Sequence, residues 1–585
     1  MIADVVFDLP RQQPFSYVIP EGMSLQRGQR VRAPLHGRAR IGVVVALRDL
    51  AVPGLKPIER AMDSVPILSE AALELGRWTA EESLSSWGST LLAFLPPLAG
   101  RHGDVVAPAP DLGSGSGAPA VEVWVGATRE ARLVARLRDG AGSALVIAPD
   151  RECAARWAVR LDATRLDSDA TDSVRRVAWF AAARGRARIT VGTRSALLTP
   201  LPPPATLVLL DEHEAAHKPP GAPRMHSRDV LRQRAMLEGS QLLLASATPS
   251  VESWWRGETQ HAIREDLEPA SGAEIITADT RGILRHHPLT LPLTRGIDEM
   301  TRRGRRVLVI ASRRVGALIC PECGGLLRCR DCGVPLGFAR DSKALSCRLC
   351  ARREALPERC PQCAGHRLSP FGWDPERIQA AISRRFPRLL VSRTDPRAQV
   401  VVGTAAMLRQ FAPGRLGCVG IVALDSLLSL PDFRGGERAF QLAWAAAESL
   451  GPNGRLIIQT LHPEHYAVQA VKDRDRRSFY KEELSLRAEL GYPPYRRICV
   501  VSVRAHGATA AHARLEDCAA ALLGIGGLTV YPPAPVGAAP AETGRWRFVI
   551  KGPAELPRLI APALAPFMER RRRGAMIEVE MDPVS

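Results

Sequence analysis

Over residues 1–50 apolar and polar positions roughly alternate in short runs, "ADVVFDLP", "FSYVIPEG", "GQRVRAPL" and "RIGVVVAL", with glycine or proline at the joints. A period of two broken by turn residues predicts short β-strands. A helical patch follows at about 68–95. Then "VVAPAPDLGSGSGAPA", 105–120, reads as a Pro/Gly/Ser linker and the clearest boundary in the chain. Beyond it the pattern changes to unbroken apolar runs separated by helical stretches. "ALVIA" (144–148), "RITV" (188–191), "TLVLL" (206–210) and "QLLLA" (241–245) form one set. "RVLVIA" (306–311), "LLVS" (389–392), "QVVVG" (399–403), "VGIVALD" (419–425) and "RLIIQT" (455–460) form a second. Apolar runs alternating with helices predict parallel sheets covered on both faces, here two in tandem. From about 480 onward, helical and strand segments alternate as in a small α+β domain.

Charge adds a partner class. The 585 residues include 79 basic and 61 acidic side chains, net +18, which makes a polyanion the first candidate partner. Only six of the basic residues are lysine, in a chain rich in alanine, arginine, glycine and proline, so coding bias competes as a source of the excess. The first residues carry no basic region followed by an apolar core, and no apolar run approaches the roughly 18 residues of a membrane span. The expectation is a soluble, cytoplasmic protein with no membrane partner.

Twelve cysteines in such a chain point to metal rather than disulfides. Eight fall in four C-x-x-C pairs: Cys320/Cys323, Cys329/Cys332, Cys347/Cys350 and Cys360/Cys363. Two thiolates so spaced share one tetrahedral zinc, and two pairs fill a four-thiolate site with no open position. Four pairs therefore predict two structural Zn2+ ions. The favoured arrangement is nested, with Cys329, Cys332, Cys347 and Cys350 on one ion and Cys320, Cys323, Cys360 and Cys363 on the other.

The stretch "TLVLLDEHEAAHK", 206–218, ends an apolar run in adjacent carboxylates, Asp211 and Glu212. Nucleotide-hydrolysing motors hold magnesium and orient water with such a pair. Around it, "VGTRSALLTPL" (191–201), "RMHSRDV" and "LASATPSVES" (244–253) resemble helicase motifs of the PriA family, the primosomal N′ replication-restart helicases. So do "ALDSLLSLPDFRGGERAFQLA", "IIQTLHPEH" and "FYKEELSLRAELGYPPY" further on, and "PFSYVIPEG", "GQRVRAPLHGR" and "GLKPIERAMD" at the start. The resemblance covers nearly the whole chain. It implies an α/β protein with tandem RecA-like helicase lobes, an inserted two-zinc cysteine-rich module, an N-terminal β-rich DNA-binding domain and a C-terminal α+β domain. The expected domains are 1–104 (3′-end binding), a linker at 105–120, lobe 1 at 121–290, lobe 2 at 291–480 with the zinc insertion at 318–367, and 481–585. Members of the family recognise abandoned replication forks, unwind the lagging arm using ATP and help load the replicative helicase. Implied partners are forked and single-stranded DNA, primosome and helicase-loading proteins and single-strand DNA-binding protein, at the nucleoid.

Departures from the family pattern bear on the ATPase. A P-loop, G-x-x-x-x-G-K-[ST], wraps phosphates with backbone N–H groups and neutralises them with its lysine. The matching place here reads "VEVWVGATREARLVARL", 121–137, where Gly126 is the remaining nucleotide-binding candidate. No lysine occurs between Lys56 and Lys218. Arg129 keeps a positive charge, but its planar fork replaces a compact ammonium poorly. The family's second-lobe arginines lie in a "QVAGRAGR"-like motif, whereas "QLAWAAAESLGPNG", 441–454, has none. Arginines of that kind contribute on the order of 10³ or more in rate. Asp211 and Glu212 are thus relic candidates, turnover of ATP with Mg2+ is not expected, and weak nucleotide binding is left open. The family's winged-helix module has no counterpart beyond the linker at 105–120.

DNA binding needs no hydrolysis. The resemblance places Phe15 and Tyr17 where an aromatic ring could stack on a terminal base, with core packing as the competing role for one of them. Gly37 and Lys56 match positions near the terminal nucleotide and its phosphate, while Ser16 replaces the family's acidic residue. Arginine clusters at Arg302, Arg303, Arg305, Arg306, Arg313 and Arg314 and at Arg570 to Arg573, with "GRWRFVI" (544–550), are further phosphate-contact candidates. The expectation is a replication-restart primosome protein without ATP-driven unwinding. An active 3′-to-5′ helicase and a zinc-containing regulatory DNA-binding protein are the alternatives.

Overall fold

The computed structural model describes every residue except 11–12, 51, 97–119, 266–271, 282–286, 312–317, 321, 324, 331–334, 340–343, 348–351, 371–372, 412–413, 429–431, 506–507, 537–544, 570–574 and 585. The linker (apart from Ala120), Cys332, Cys350, Arg313, Arg314 and the run from Arg570 to Arg573 therefore lie outside the described residues.

The alternating N-terminal region forms a five-stranded antiparallel sheet in the order Phe15–Val18, Ile2–Phe7, Arg38–Arg48, Arg30–Leu35, Arg60–Ala61. Ile2–Phe7 is buried at every position because both its faces are covered. Val5 packs in the domain's own core with Val31 and Val44, whereas Val6 packs with Leu73 and Leu91 of helices Glu70–Ser83 and Trp87–Phe94. Ser69 caps the first of these helices, its hydroxyl accepting from the Ala72 N–H at 3.2 Å.

Two parallel sheets follow. Lobe 1 runs Ile263–Glu265, Val121–Val125, Gln241–Ala245, Ala205–Leu210, Ser143–Ile147, Ile189–Gly192, Thr164–Leu166. Lobe 2 runs Glu274–Asp279, Leu450–Thr460, Leu416–Val422, Arg306–Ala311, Val400–Gly403, Val391–Ser392. The expected boundary at 290 needs correcting. Glu274–Asp279 pairs along its length with Arg455–Thr460, so the chain crosses into the second sheet before 274. Its sequence, "EIITAD", is too short to declare which sheet it joins.

The C-terminal unit is an antiparallel sheet built on Arg497–Ala505, flanked by Arg545–Gly552 and Ala575–Met581. Helices Ala508–Ala520 and Leu556–Glu569 share its core through Leu515, Ile560 and Leu564. Among the described residues, no helix is long and apolar enough to cross a membrane.

The lobes do not meet as two separate bodies. Leu145 and Leu207 of lobe 1, Leu308 and Phe440 of lobe 2, and Phe479 of helix Arg476–Leu490 belong to one contiguous buried cluster. Phe440 stacks on Phe479 at 3.9 Å and Trp254 on Tyr480 at 4.1 Å, while the Tyr480 hydroxyl donates to the Pro249 carbonyl at 2.6 Å. A buried ion network runs through the same seam. Arg434 of lobe 2 holds Glu252 of lobe 1 at 2.6 Å, and Arg487 holds Glu437 at 2.8 Å. Glu437 in turn accepts from the Val251 N–H at 3.0 Å.

Candidate nucleotide cleft, metal centre and nucleic-acid surfaces

Strand Val121–Val125 is joined to helix Arg129–Asp139 by only Gly126, Ala127 and Thr128. Gly126 has φ +110, a conformation that side chains resist. A connection this short cannot wrap a phosphate. The Arg129 guanidinium instead folds back over it, Nη1 donating to the Gly126 carbonyl at 2.7 Å and to Glu448 Oε2 at 2.9 Å. Glu448 ends helix Gly435–Glu448 of lobe 2, in the segment where the arginine-bearing motif was expected. It also accepts from Trp444 Nε1 at 3.3 Å. The phosphate-loop side thus stays positive, while a carboxylate stands on the side that should stabilise the transferring phosphate. Both partners are nearly buried. Burial would lower the Arg129 pKa, but Glu448 foremost, then Asp211 and Glu130, push it up, so the charge is held.

Glu212 is fully buried and consumed by lobe 1. Its Oε1 accepts from Arg228 Nη1 at 3.0 Å, Ser250 Oγ at 2.6 Å and Ser253 Oγ at 2.7 Å, and its Oε2 from the Ser250 N–H at 2.9 Å. Burial favours the protonated acid, but Arg228 and these donors outweigh it and keep the carboxyl below its ordinary range. With four donors in place, Glu212 organises the Ser250–Ser253 turn rather than a water. Asp211 sits at the strand end with φ +47. Burial raises its pKa, against the pull of His213 and Arg129.

The expectation of no guanidinium in this gap is corrected in one respect. Arg129, Arg228 and also Arg409 of lobe 2 are there, but each is engaged. Arg409 bonds Asp150 at 2.8 Å and Glu214 at 3.4 Å. These charges stitch protein to protein.

In the insertion, Sγ atoms of Cys320, Cys323, Cys360 and Cys363 all lie within 4.8 Å of one another. The Cys320–Cys363 and Cys323–Cys360 separations are 3.6 and 3.7 Å. A tetrahedron with Zn–S of about 2.3 Å requires about 3.8 Å between sulfurs, so the donor set fits zinc. The two C-x-x-C turns are built alike. Cys320 N–H donates to Gly325 O and Cys360 N–H to Gly365 O at 2.9 and 2.8 Å, while Gly325 N–H and Gln362 N–H each point to a sulfur at 3.4 Å. These are the outer four of the nested arrangement. Of the inner four, Cys329 and Cys347 are buried beside Leu327, Leu336 and Leu345.

On the N-terminal sheet the two aromatic candidates separate. Tyr17 is only 4% exposed, its hydroxyl donating to Pro34 O at 3.1 Å, and it packs on Phe7. Tyr17 therefore fills the core, which a stretch read in isolation cannot reveal. Phe15 is half-buried, edge-on to His36 with ring centroids 6.4 Å apart. His36 and Gly37, φ +49 and +76, make the two-residue hairpin turn next to it. Lys56 is exposed, and its carbonyl accepts from Val18 N–H at the far end of the Phe15 strand. Ser16 donates to Asp4 Oδ1 at 2.7 Å, and Asp4 also pairs with Arg48, so this carboxylate is occupied. In the C-terminal sheet, Trp546 is half-buried against His512 while Arg545 is exposed.

Tandem parallel lobes with strand-end carboxylates, a thiolate-rich insertion and a β-rich N-terminal unit define a helicase-like protein in which Arg129 of lobe 1 is bridged to Glu448 of lobe 2. Residues 4–96 match the family described as 3'DNA-binding domain (3'BD), and residues 488–584 the one described as Primosomal protein N C-terminal domain. Replication restart protein PriA of Treponema pallidum is 28% identical, the match covering 100% of this chain and 99% of that protein. Its Bacillus subtilis namesake is 27% identical over 56% of this chain and 44% of its own length, so the match spans less than half of that relative. Among solved structures, RecG bound to a three-way DNA junction is similar at TM-score 0.35 and 9% identity, over 62% of this chain and 43% of that chain. The chain thus carries both terminal domains of the primosomal proteins and is similar to replication restart protein PriA over its full length.

Proposed function

We propose that this chain is a replication-restart primosome protein that binds stalled or abandoned forks and promotes primosome assembly and replicative-helicase loading without ATP-driven unwinding. The observation that carries the second half is the Arg129–Glu448 pair, an ion bridge where a triphosphate would lie. A γ-phosphate entering there would meet a carboxylate in place of a guanidinium, and Glu212 offers no free oxygen to a water. Fork recognition is supported by the match to the 3′-DNA-binding family, by Phe15 beside the His36–Gly37 turn, and by exposed Lys56 at the other end of the Phe15 strand. The chain would act at the nucleoid in the cytoplasm, with helicase loaders and single-strand DNA-binding protein as partners, and would carry a second zinc on Cys329, Cys332, Cys347 and Cys350. ATP turnover by the purified chain with and without forked DNA is the test. The expected outcome is no DNA-stimulated hydrolysis alongside retained fork binding; turnover near one per second would restore the motor reading.

A further inference from the structure

Strand Ala575–Met581 ends where Asp582 turns into the left-handed region, φ +45, and Pro583, with no N–H, cannot extend the ladder. Asp582 stays tied to its own sheet. Its Oδ2 accepts from Arg497 Nε and Nη2 at 2.9 and 2.7 Å, and its Oδ1 from the Ile498 N–H at 3.1 Å. Its own N–H donates to the Ile498 carbonyl at 2.7 Å. The chain then leaves the sheet for the helicase-like lobes, where the successive carbonyls of 581–584 each accept from a cation. Lys218 of lobe 1 donates to Met581 O at 2.6 Å and Asp582 O at 2.8 Å and pairs with Glu580 at 3.0 Å, which occupies all three ammonium protons. Arg434 of lobe 2 donates through Nε to Pro583 O at 3.2 Å, and Arg438 through Nη2 to Val584 O at 2.7 Å.

These donors come from both lobes, so the segment crosses the seam between them. Hydrogen bonds from charged donors are the strong ones, and here they fall on main-chain oxygens whatever the side chains. Arg434 links the crossing to lobe closure. Its Nη atoms hold Glu252 of lobe 1 and Glu437 of lobe 2, and its remaining nitrogen goes to Pro583. Val584 also lines a cavity of about 490 Å3 between the lobes, with His213 and Glu214 from lobe 1 and Thr404 and Gln441 from lobe 2.

We propose that segment 581–584 is a latch that couples the seating of the C-terminal unit to closure of the two lobes. Lifting the C-terminal unit draws Pro583 off Arg434 and disturbs the guanidinium that joins Glu252 to Glu437. Parting the lobes separates Lys218 from Arg438 and breaks the row of carbonyl contacts. A proline between the two anchored ends leaves the segment little slack. The device uses no nucleotide and stands apart from the fate of ATP in the cleft. Two substitutions in the full chain test it. Asp582→Ala frees the segment from its own sheet, and Arg438→Met frees it from lobe 2. A latch makes both break one connection, so the double variant should unfold at the urea midpoint of the weaker single variant. Asp582→Ala should also raise amide exchange along helix Gly435–Glu448 of lobe 2 about tenfold, the factor that one charge-assisted hydrogen bond is worth. Pro583→Gly, which keeps every carbonyl and donor but adds slack, should raise it in the same direction. Additive midpoint losses, or wild-type exchange in that helix for both Asp582→Ala and Pro583→Gly, would reduce the segment to passive packing and overturn the latch.

Discussion

Arg129 shows how one side chain can change what a cleft is for. Its guanidinium bonds its own loop carbonyl and a carboxylate 319 positions away, so its removal leaves Glu448 almost buried without a counter-ion. Arg129→Ala should therefore cost about 3 kcal/mol in urea unfolding, whereas Arg129→Met with Glu448→Met should recover most of it. A double mutant as unstable as the single would refute the bridge. His217 makes a second residue-scale prediction. It is fully buried, its Nε2–H directed at the Leu210 carbonyl at 2.8 Å, and burial brings its pKa down to about 4. His226, Asp211 and Glu212 face it from the adjoining segments. A folded pKa below the unfolded ~6.5 means stability is complete above pH 6.5 and drains away as pH falls toward 4, on the order of 3 kcal/mol from this group. His217→Gln should flatten the pH dependence of the unfolding midpoint over that window. The missing lysine was legible in sequence because a phosphate loop is contiguous. Its replacement by an ion bridge was not, since nothing local in "GATRE" names Glu448. Nor could the sequence say how deeply each ring sits: two apart on one strand, Phe15 and Tyr17 share a face and both touch Phe7, and only the surrounding segments cover Tyr17 while leaving Phe15 half-buried.

At the scale of elements, local pattern did most of the work. Unbroken apolar runs gave the parallel strands, and alternation with punctuating glycine and proline gave the N-terminal sheet. What local pattern missed were pairings: Glu274–Asp279 declares its sheet only by lying against Arg455–Thr460. The thiolate turns are an instructive contrast. C-x-x-C spacing fixes each turn, but closing Cys320/Cys323 onto Cys360/Cys363 requires the insertion to double back, as the pairing of Leu318–Ile319 with Ser369–Pro370 makes it do. Metal analysis of the purified chain should give two zinc ions, falling to one in Cys360→Ser. One ion in the unaltered chain would reject the inner site.

For the whole molecule, the continuous core and the Arg434–Glu252 and Arg487–Glu252 pairs argue that lobes 1 and 2 move as one body. A motor must open and close at this seam each cycle. Opening here would break buried ion pairs, at roughly 3–5 kcal/mol for each charge left alone. Hydrogen exchange along helices Val251–Thr259 and Gly435–Glu448 should accordingly be unchanged by a non-hydrolysable ATP analogue. Nucleotide-dependent protection there would contradict a fused core.

On the proposed reading, the carboxylate on the far wall of the cleft also bears on how readily hydrolysis could return. Substituting lysine for Arg129 alone would keep the charge but loosen its joint hold on the Gly126 carbonyl and Glu448, and neutralising that acid alone would strand the arginine. Each single step lowers stability before any catalysis appears, while the three-residue Gly126–Thr128 connection would still need lengthening. On the proposed non-hydrolytic reading, descendants of such a protein face a valley in fitness that one substitution at a time does not cross.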